Sequence, residues 1–366
     1  MSKRMRGVLI AAVLLGSGAL ALSRMASLGG SVTGERRARA ERSGHFRDGQ
    51  FQNLEVTHKL TPGTFWEMIH HQLFGKEQRV PERAIPTVAR RGSDYTAPPA
   101  SGLRATWIGH ASVLLELDGA RVLVDPVFSA RCSPVSFIGP ERFFAPPIAL
   151  SELPKIDAVI ISHDHYDHLD MASVQALAAR GAQFVVPLGI GAHLERWGVP
   201  AKQIDDLDWY EQKKLGRLQL TATPARHYSG RRGLDSDATL WASWVIAGDA
   251  HRVFFSGDTG YSAEFRRIGE RFGPFDLTLI KAGASDPTWE QIHMSPEDAV
   301  RTHQDVRGRL LLPVHWGTFN LAYHAWNEPA ERVARAARAA GVSYTLPRPG
   351  EWVEPGVNQP SAAWWR

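Results

Sequence analysis

The sequence predicts a mixed α/β fold in which two successive rounds of strands and helices build one large domain. Short runs rich in valine, isoleucine and leucine recur between residues 105 and 314, and several end directly at a histidine or an aspartate. Segments with helical spacing of apolar residues lie between these runs. The 43% of hydrophobic and 22% of charged residues are ordinary globular values, and 366 residues suffice for such a domain with extensions.

The first round of elements begins near Leu103. Asp118-Gly119 between two apolar runs is a strong hairpin signal, and Gly181 fits the C-terminal cap of a helix. The predicted strands are residues 105–108, 112–117, 121–124, 156–161 and 183–187, and the predicted helices are residues 169–180 and 190–197.

The second round contains the clearest helix start of the chain. Ser295 is an N-cap residue, Pro296 fits the first turn, and Glu297 and Asp298 lie near the positive end of the helix dipole. The predicted strands are residues 218–223, 240–246, 252–256, 277–281, 310–314 and 343–346, and the predicted helices are residues 263–272, 296–303 and 328–340.

The N-terminal hundred residues have a different character. Lys3, Arg4 and Arg6 precede an apolar run over residues 7–22, which is typical of an export signal, and Ala19-Leu20-Ala21 offers a cleavage site. We therefore expect residues 1–30 to be a signal peptide or a membrane anchor, which places the protein in the periplasm or on the inner membrane facing it. A buried N-terminal helix is the alternative.

Four regions follow from these patterns. Residues 31–100 are predicted to be an arginine-rich solvated linker and an N-terminal extension, residues 101–350 the main domain, and residues 351–366 a C-terminal tail. Within the extension, residues 65–69 predict one short amphipathic helix that packs on the domain or touches lipid.

Charge and cysteine content limit the partners and the metal ligands. A net charge of +4 is too small to predict a nucleic-acid binder, so we expect no nucleic-acid partner. Cys132 is the only cysteine, which excludes an intrachain disulfide and a thiolate metal cluster. Any metal must therefore be bound by imidazole and carboxylate.

The string from His163 to His168 is the strongest chemical signal. Its four potential ligands exceed what one catalytic zinc takes from protein, so two metal ions are the more economical interpretation, with iron or manganese as alternatives to zinc. Further candidates follow other strands at the same strand-to-loop position. The candidate ligands are His163, His165, Asp167, His168, His227, Asp258 and His315.

These residues and longer strings resemble the metallo-β-lactamase superfamily, and within it the N-acyl-phosphatidylethanolamine-hydrolysing phospholipases D and their bacterial relatives. The strings that carry the resemblance are His163-x-His165-x-Asp167-His168, Thr106-Trp107-Ile108-Gly109-His110-Ala111, Asp125-Pro126-Val127-Phe128-Ser129, Ile138-Gly139-Pro140-Glu141-Arg142-Phe143, Phe255-Ser256-Gly257-Asp258-Thr259-Gly260-Tyr261 and His315-Trp316-Gly317-Thr318-Phe319.

The resemblance implies an αββα sandwich with a two-zinc site at its strand ends. One zinc would be bound by His163, His165 and His227, the other by Asp167, His168 and His315, with Asp258 bridging both. Asp167, Asp258 and His293 would be catalytic, Tyr166 and His293 would bind substrate, and His110 would be structural.

The resemblance further implies hydrolysis of a phosphodiester, with N-acyl-phosphatidylethanolamine as substrate and phosphatidic acid and an N-acylethanolamine as products. A phospholipid at a membrane surface is then the expected partner, and a homodimer is compatible with this interpretation. Three alternatives stay open: a lactonase, a soluble phosphodiesterase and a non-catalytic, zinc-stabilised scaffold protein of the envelope.

Overall fold

The computed structural model of the protein describes residues 25 to 233 and 235 to 366. Its strands are β1 Phe46–Arg47, β2 Gln50–Phe51, β3 Leu103–Gly109, β4 Ser112–Leu117, β5 Ala120–Val124, β6 Ala158–Ile160, β7 Gln183–Pro187, β8 Ile204–Leu207, β9 Gln212–Leu215, β10 Leu218–Thr223, β11 Ser243–Ala247, β12 Arg252–Phe255, β13 Leu277–Lys281, β14 Leu311–Val314 and β15 Trp352–Val353. Its helices are α1 Gly34–Glu41, α2 Phe65–Phe74, α3 Met171–Ala179, α4 Gly191–Arg196, α5 Glu264–Phe272, α6 Pro296–Asp305 and α7 Glu328–Ala340.

Two sheets form the centre of the molecule. One has the strand order β15-β3-β4-β5-β6-β7-β8 and the other the order β14-β13-β12-β11-β10-β9. Each sheet is antiparallel on one side and parallel on the other, with β5 to β8 and β12 to β14 running parallel. Parallel neighbours need crossover connections, and α3 to α6 supply them for the pairs from β6 to β8 and from β12 to β14.

The side chains of the strands alternate between two cores. In β4, Val113 and Leu115 belong to the core between the sheets, whereas Leu114 faces a second core with α3 and α4. A third core joins the outer face of the other sheet, including Phe254, to α5, α6 and α7. The helices thus cover both outer faces, and the predicted αββα sandwich is confirmed.

Five strands of the structure, namely β1, β2, β8, β9 and β15, have no counterpart in the sequence prediction. Both β8 and β9 lie at the edges of their sheets, and neither carries the apolar alternation of a half-buried strand. An edge strand has a neighbour on one side only and often carries charged side chains, so its amino-acid pattern does not reveal it as a strand. Elsewhere the bounds shift: the strand predicted from residue 240 begins at Ser243, and the helix predicted over residues 65–69 extends to Phe74.

The arginine-rich stretch expected to be a solvated linker is instead packed on the domain. Its residues form α1 and the β1–β2 hairpin. Arg36 pairs with Asp206 and Glu195, and Arg39 pairs with Glu211. The arginines are therefore partners of carboxylates far away in sequence, which composition alone does not reveal.

The residues expected to form a C-terminal tail also contact the domain. Trp352 and Val353 pair with β3 as an edge strand, while Trp364 stacks on Trp316 with 5.3 Å between ring centroids. Most of the predicted signal or anchor, residues 1–24, lies outside the described residues. Among the helices that the structure describes, none is long and apolar enough to cross a bilayer.

Candidate metal centre

The candidate ligands converge at one edge of the sandwich. The string that begins at His163 follows β6, His227 follows β10, Asp258 follows β12 and His315 follows β14. Backbone hydrogen bonds join these loops: the Ala242 amide donates to Ser162 at 2.9 Å, and the His315 amide donates to His110 at 2.9 Å. Both sheets therefore contribute to one site, as their strand-to-loop placement predicts.

Two groups of ligand atoms are adjacent. In the first group, His165 Nδ1 lies 2.9 Å from His163 Nε2 and 3.3 Å from His227 Nε2. In the second, His315 Nε2 lies 3.4 Å from Asp167 Oδ2, and His168 Nε2 lies 3.5 Å from the same oxygen. These are the two triads that the family resemblance implies.

Asp258 lies between the two groups. Its Oδ2 is 3.0 Å from His315 Nε2 and 3.3 Å from His168 Nε2, and it is within ligand-sharing distance of His163 and His227. All seven predicted ligands are thus brought together. Asp258 Oδ1, His168 Nε2 and His315 Nε2 are also buried without a hydrogen-bond partner, which is costly unless another group satisfies them. A cation among these atoms fits the donor set.

The opposite nitrogens of three rings are held by hydrogen bonds. His168 Nδ1 lies 2.6 Å from Asp125 Oδ2, His227 Nδ1 lies 3.0 Å from the Ile292 carbonyl, and His163 Nδ1 lies 2.9 Å from Ser162 Oγ. Such contacts fix the orientation and tautomer of a ligating histidine and leave Nε2 for the metal. The arrangement is typical of a metal site.

The charges of the cluster also favour a cation. Burial raises the pKa of Asp258, but His315 and His168 outweigh burial and hold it well below its ordinary value. Burial lowers the pKa of His168, but Asp258 and Asp167 outweigh it and hold that pKa well above its ordinary value. The buried carboxylates therefore demand positive charge, which protonated imidazoles or metal ions can provide.

Backbone strain is concentrated at the centre. His110, Asp125 and His315 adopt left-handed conformations, with φ of 53°, 38° and 67°. A residue with a Cβ rarely adopts this region, and each such position costs on the order of 1–3 kcal/mol. Gly257 has φ of 56°, and a Cβ there would lie 2.7 Å from the Ala242 carbonyl oxygen. The loop with Asp258 can therefore approach the string from His163 closely only because residue 257 is glycine.

His110 and Asp164 are not candidate ligands, but each helps to hold the candidate ligands in place. His110 Nε2 lies 2.9 Å from Asp167 Oδ2, so the expected structural role includes direct contact with a ligand. Asp164 faces away from the metal ligands: it accepts hydrogen bonds from the Gly230 amide at 2.8 Å and from Thr239 Oγ1 at 3.0 Å. This residue is a spacer in the string and an anchor for the loop around residue 230.

His293 and Lys281 lie beside Asp258. His293 Nδ1 is buried without a hydrogen-bond partner, 3.7 Å from Asp258 Oδ2. Burial and the nearby Lys281 hold the pKa of His293 well below its ordinary value. Lys281 is fully buried, its Nζ donates to the Met294 carbonyl at 2.9 Å, and burial lowers its pKa to about 7. The neutral His293 ring is thus available for proton transfer.

A cleft of about 480 Å³ opens over the centre. Its floor contains Asp167, Asp258, His293 and His315, and its walls include Tyr166 with the residues Lys59, Leu60, Met68, Cys132, Tyr228, Trp289, Ile292 and Leu321. Met68 belongs to α2, so this helix borders the entrance. The volume suits one small-molecule head group, and a polar floor under apolar walls is typical of a ligand site.

The comparison with known proteins agrees with this geometry. Residues 120 to 316, more than half of the chain, match the family described as the β-lactamase superfamily domain. The N-acyl-phosphatidylethanolamine-hydrolyzing phospholipase D 1 of Caenorhabditis elegans is 38% identical over 262 residues, with 68% of this chain and 73% of the relative covered. The chain belongs to the metallo-β-lactamase superfamily.

Two further similarities differ in extent. The outer membrane protein RomA of Klebsiella pneumoniae is 42% identical over 101 residues, which cover 28% of this chain and 76% of the relative. The solved structure of Igni18, a metallo hydrolase from the archaeon Ignicoccus hospitalis, matches 69% of this chain and 97% of its own with a TM-score of 0.53 and 26% identity. As a member of the metallo-β-lactamase superfamily, the protein is a metal-dependent hydrolase.

Sequence reasoning missed several residues that hold the ligands. Asp125 belongs to one of the family strings but is not among the predicted site residues, although its placement after β5 resembles that of the candidate ligands. Asn53 was missed entirely: its Nδ2 donates to the His227 carbonyl at 2.7 Å, and its Oδ1 accepts from the His227 amide at 3.0 Å. No local signal connects residue 53 to residue 227, because the contact arises only in the folded chain.

Proposed function

We propose that the protein is a dinuclear zinc phosphodiesterase of phospholipase D type that acts on N-acyl-phosphatidylethanolamine. The observation that carries the proposal is the convergence of seven candidate ligands, four of which line a cleft that Met68 of α2 also borders. The similarity to the enzyme of Caenorhabditis elegans supports the choice of substrate.

The proposed metal allocation follows the two triads. His163, His165 and His227 would bind one ion, Asp167, His168 and His315 the other, and Asp258 would bridge both. Ions bound there would supply Lewis acidity toward phosphoryl oxygens and would lower the pKa of water. Imidazole and carboxylate ligands suit zinc, and also iron or manganese.

The protein's own groups would orient the substrate and move the proton. Lys59 at the cleft wall, which also forms an ion pair with Asp237 at 2.7 Å, offers an ammonium donor to an anionic head group. Tyr166 borders the cleft and is fixed by its hydroxyl, which donates to the Arg231 carbonyl at 2.9 Å. His293, a neutral ring that faces the cleft beside Asp258, can accept a proton from the attacking water and pass it to the departing ethanolamine oxygen.

The exposed apolar side chains of α2 support a lipid over a soluble diester. Phe65, Trp66, Leu73 and Phe74 of α2 are between 48% and 76% exposed, an unusual density of large apolar side chains for one helix. Such a surface fits the acyl region of a bilayer, so a membrane surface is the proposed partner. The apolar run at residues 7–22 and the similarity to a protein named for the outer membrane support export or anchoring in the envelope.

A panel assay in ¹⁸O-water tests the proposal. Zinc-loaded protein would be assayed on N-acyl-phosphatidylethanolamine vesicles, a soluble aryl phosphodiester and an acyl lactone, with mass spectrometry of the products. We expect phosphatidic acid with one ¹⁸O and unlabelled N-acylethanolamine, because water attacks phosphorus and the ethanolamine oxygen departs. Label in a free fatty acid or a hydroxy acid would contradict the proposal, and turnover of none of the three would favour a scaffold protein.

A further inference from the structure

The segment of residues 25 to 33, here called the strap, runs across the protein before α1 begins. Two adjacent glycines let it lie flat on α4. A Cβ on Gly29 would lie 2.1 Å from His193 Nδ1, and a Cβ on Gly30 would lie 2.1 Å from the Ala192 carbonyl oxygen. No side chain larger than hydrogen fits at either position without displacement of α4 or the strap.

Hydrogen bonds fix the strap on three sides. Trp197 Nε1 donates to the Ala26 carbonyl at 2.6 Å, and Ser27 Oγ donates to the Pro134 carbonyl at 2.7 Å. Arg232 donates to the carbonyls of Leu28 and Gly29 and to Ser31 Oγ. The strap is therefore held by donors from separate parts of the domain.

Arg231 connects the strap to the loop that carries four candidate ligands. On one side, its Nη2 donates to the Ser27 carbonyl at 3.0 Å. On the other side, its Nη1 donates to the carbonyls of Asp164 at 2.5 Å and Leu169 at 2.9 Å. These two carbonyls flank His165, Asp167 and His168. Arg231 is only 6% exposed, so its donors cannot exchange these acceptors for bulk water.

A second contact reaches the same loop. His193, on which Gly29 packs, lies with its Nε2 3.3 Å from Asp164 Oδ2. The guanidinium of Arg231 also lies over the ring of Tyr166, 3.9 Å from its centroid. The strap is thus linked to the ligand loop in two ways. Arg231 binds the Asp164 carbonyl and stacks on the Tyr166 ring, and His193 contacts the Asp164 side chain.

We propose that the strap is a positioning element of the metal centre and that Arg231 is the positioning residue through which it acts. With the strap in place, three acceptors fix the guanidinium, and the guanidinium fixes the loop from Asp164 to Leu169. Without the strap, Arg231 loses the Ser27 acceptor and the loop gains freedom at its ligands. The inference rests on the proposed metal centre. The predicted signal cleavage after Ala21 would leave the strap intact.

Hydrogen exchange and zinc retention in the full-length protein test the strap. Gly30→Val should displace the strap, and Arg231→Met should disconnect it from the loop. Gly44→Ala is the matched control, because Gly44 lies in the same N-terminal region with open space around its Cβ position. We expect amides 163–169 to exchange at least about tenfold faster in both variants, and a chelator to remove zinc about 10–100-fold more readily, as when a contact behind a metal ligand is lost. Gly44→Ala should resemble the parent in both measurements.

The hydrogen-exchange protection of the β4 amides serves as the check on folding. A variant that is generally unfolded would lose protection in β4 as well as in the ligand loop. If Gly30→Val loses that protection, Arg232→Met replaces it, because that substitution removes strap contacts and keeps Arg231. Normal exchange at residues 163–169 while the strap itself exchanges freely would overturn the proposal. Should the parent bind no metal, the proposed function fails, and the exchange measurement alone still decides whether the strap holds the loop.

Discussion

The hydrogen bonds of the histidine Nδ1 atoms that face away from the cluster fix the orientation of the candidate ligand rings. His168 depends on Asp125, which is fully buried and also accepts from the Ser162 amide at 2.7 Å and from Ser162 Oγ at 2.6 Å. One carboxylate thus fixes a ligand ring and the start of the ligand loop together. Such contacts behind a ligand typically change metal affinity by one to two orders of magnitude.

Asp125→Asn should therefore weaken zinc binding by about 10–100-fold, because an amide cannot accept from His168 Nδ1 with the strength of a carboxylate. Competition with a chromogenic chelator measures the change. Asp249→Asn is a suitable control, since Asp249 is exposed and forms an ion pair with the equally exposed Arg217. Equal zinc affinity in the two variants would contradict the role assigned to Asp125.

Asp258→Asn should remove more than one contact, because Asp258 is the proposed bridge. We expect the zinc content to fall by about one equivalent and kcat/KM to fall at least about 10³-fold, since metal charge stabilisation is worth several kcal/mol. Metal analysis with kinetics on the same preparation tests this expectation. Loss of zinc with undiminished hydrolysis would exclude the dinuclear mechanism.

At the scale of elements, α2 is the part of the protein that we propose to distinguish lipid from soluble substrates. It lies at the cleft entrance, and α2 is tied to the turn Pro287–Trp289: Thr61, just before α2, donates from its amide to the Thr288 carbonyl at 2.6 Å. His71 of α2 lies against Tyr323, with 5.8 Å between their ring centroids. These contacts hold α2 in place beside the cleft, which its Met68 lines.

Trp66→Ser with Phe74→Ser should reduce hydrolysis of N-acyl-phosphatidylethanolamine in vesicles by about tenfold or more, because each large apolar side chain contributes roughly 1–3 kcal/mol when buried. Hydrolysis of a soluble aryl phosphodiester should be unchanged. Val357→Ser is the control, since Val357 is 64% exposed and does not line the cleft. Equal losses on vesicles and on the soluble diester would contradict a lipid-docking role for α2.

At the scale of the whole molecule, the metal centre joins the two sheets of the sandwich. Buried carboxylates and imidazoles that lose their cations destabilise the folded state. An ion that binds only the folded protein contributes about 2.7 kcal/mol per site at 100 times its Kd. Chelation should therefore lower Tm by several degrees, and zinc but not magnesium should restore it, as calorimetry can measure. An unchanged Tm after complete zinc removal would contradict the stabilising role.

The sequence predicted the candidate ligands of the centre better than the residues that hold those ligands in place. The convergence of the seven candidate ligands was predictable because they follow apolar strands, and strand ends of one edge meet in the fold. Asp125 shares that placement, but nothing in the sequence tells which ring it faces. Asn53 and the strap act across more than 150 residues, so their roles depend on packing that no local pattern encodes. The sequence favours solvation of Arg36 and Arg39 only because their acidic partners are distant along the chain.

The central claim is a two-metal centre built by these seven residues, and anomalous X-ray scattering at the zinc edge tests it most directly. We predict two peaks in the cleft floor, one bounded by His163, His165 and His227, the other by Asp167, His168 and His315, with Asp258 touching both. A single peak, a peak at other residues, or none in crystals of zinc-loaded protein would contradict it.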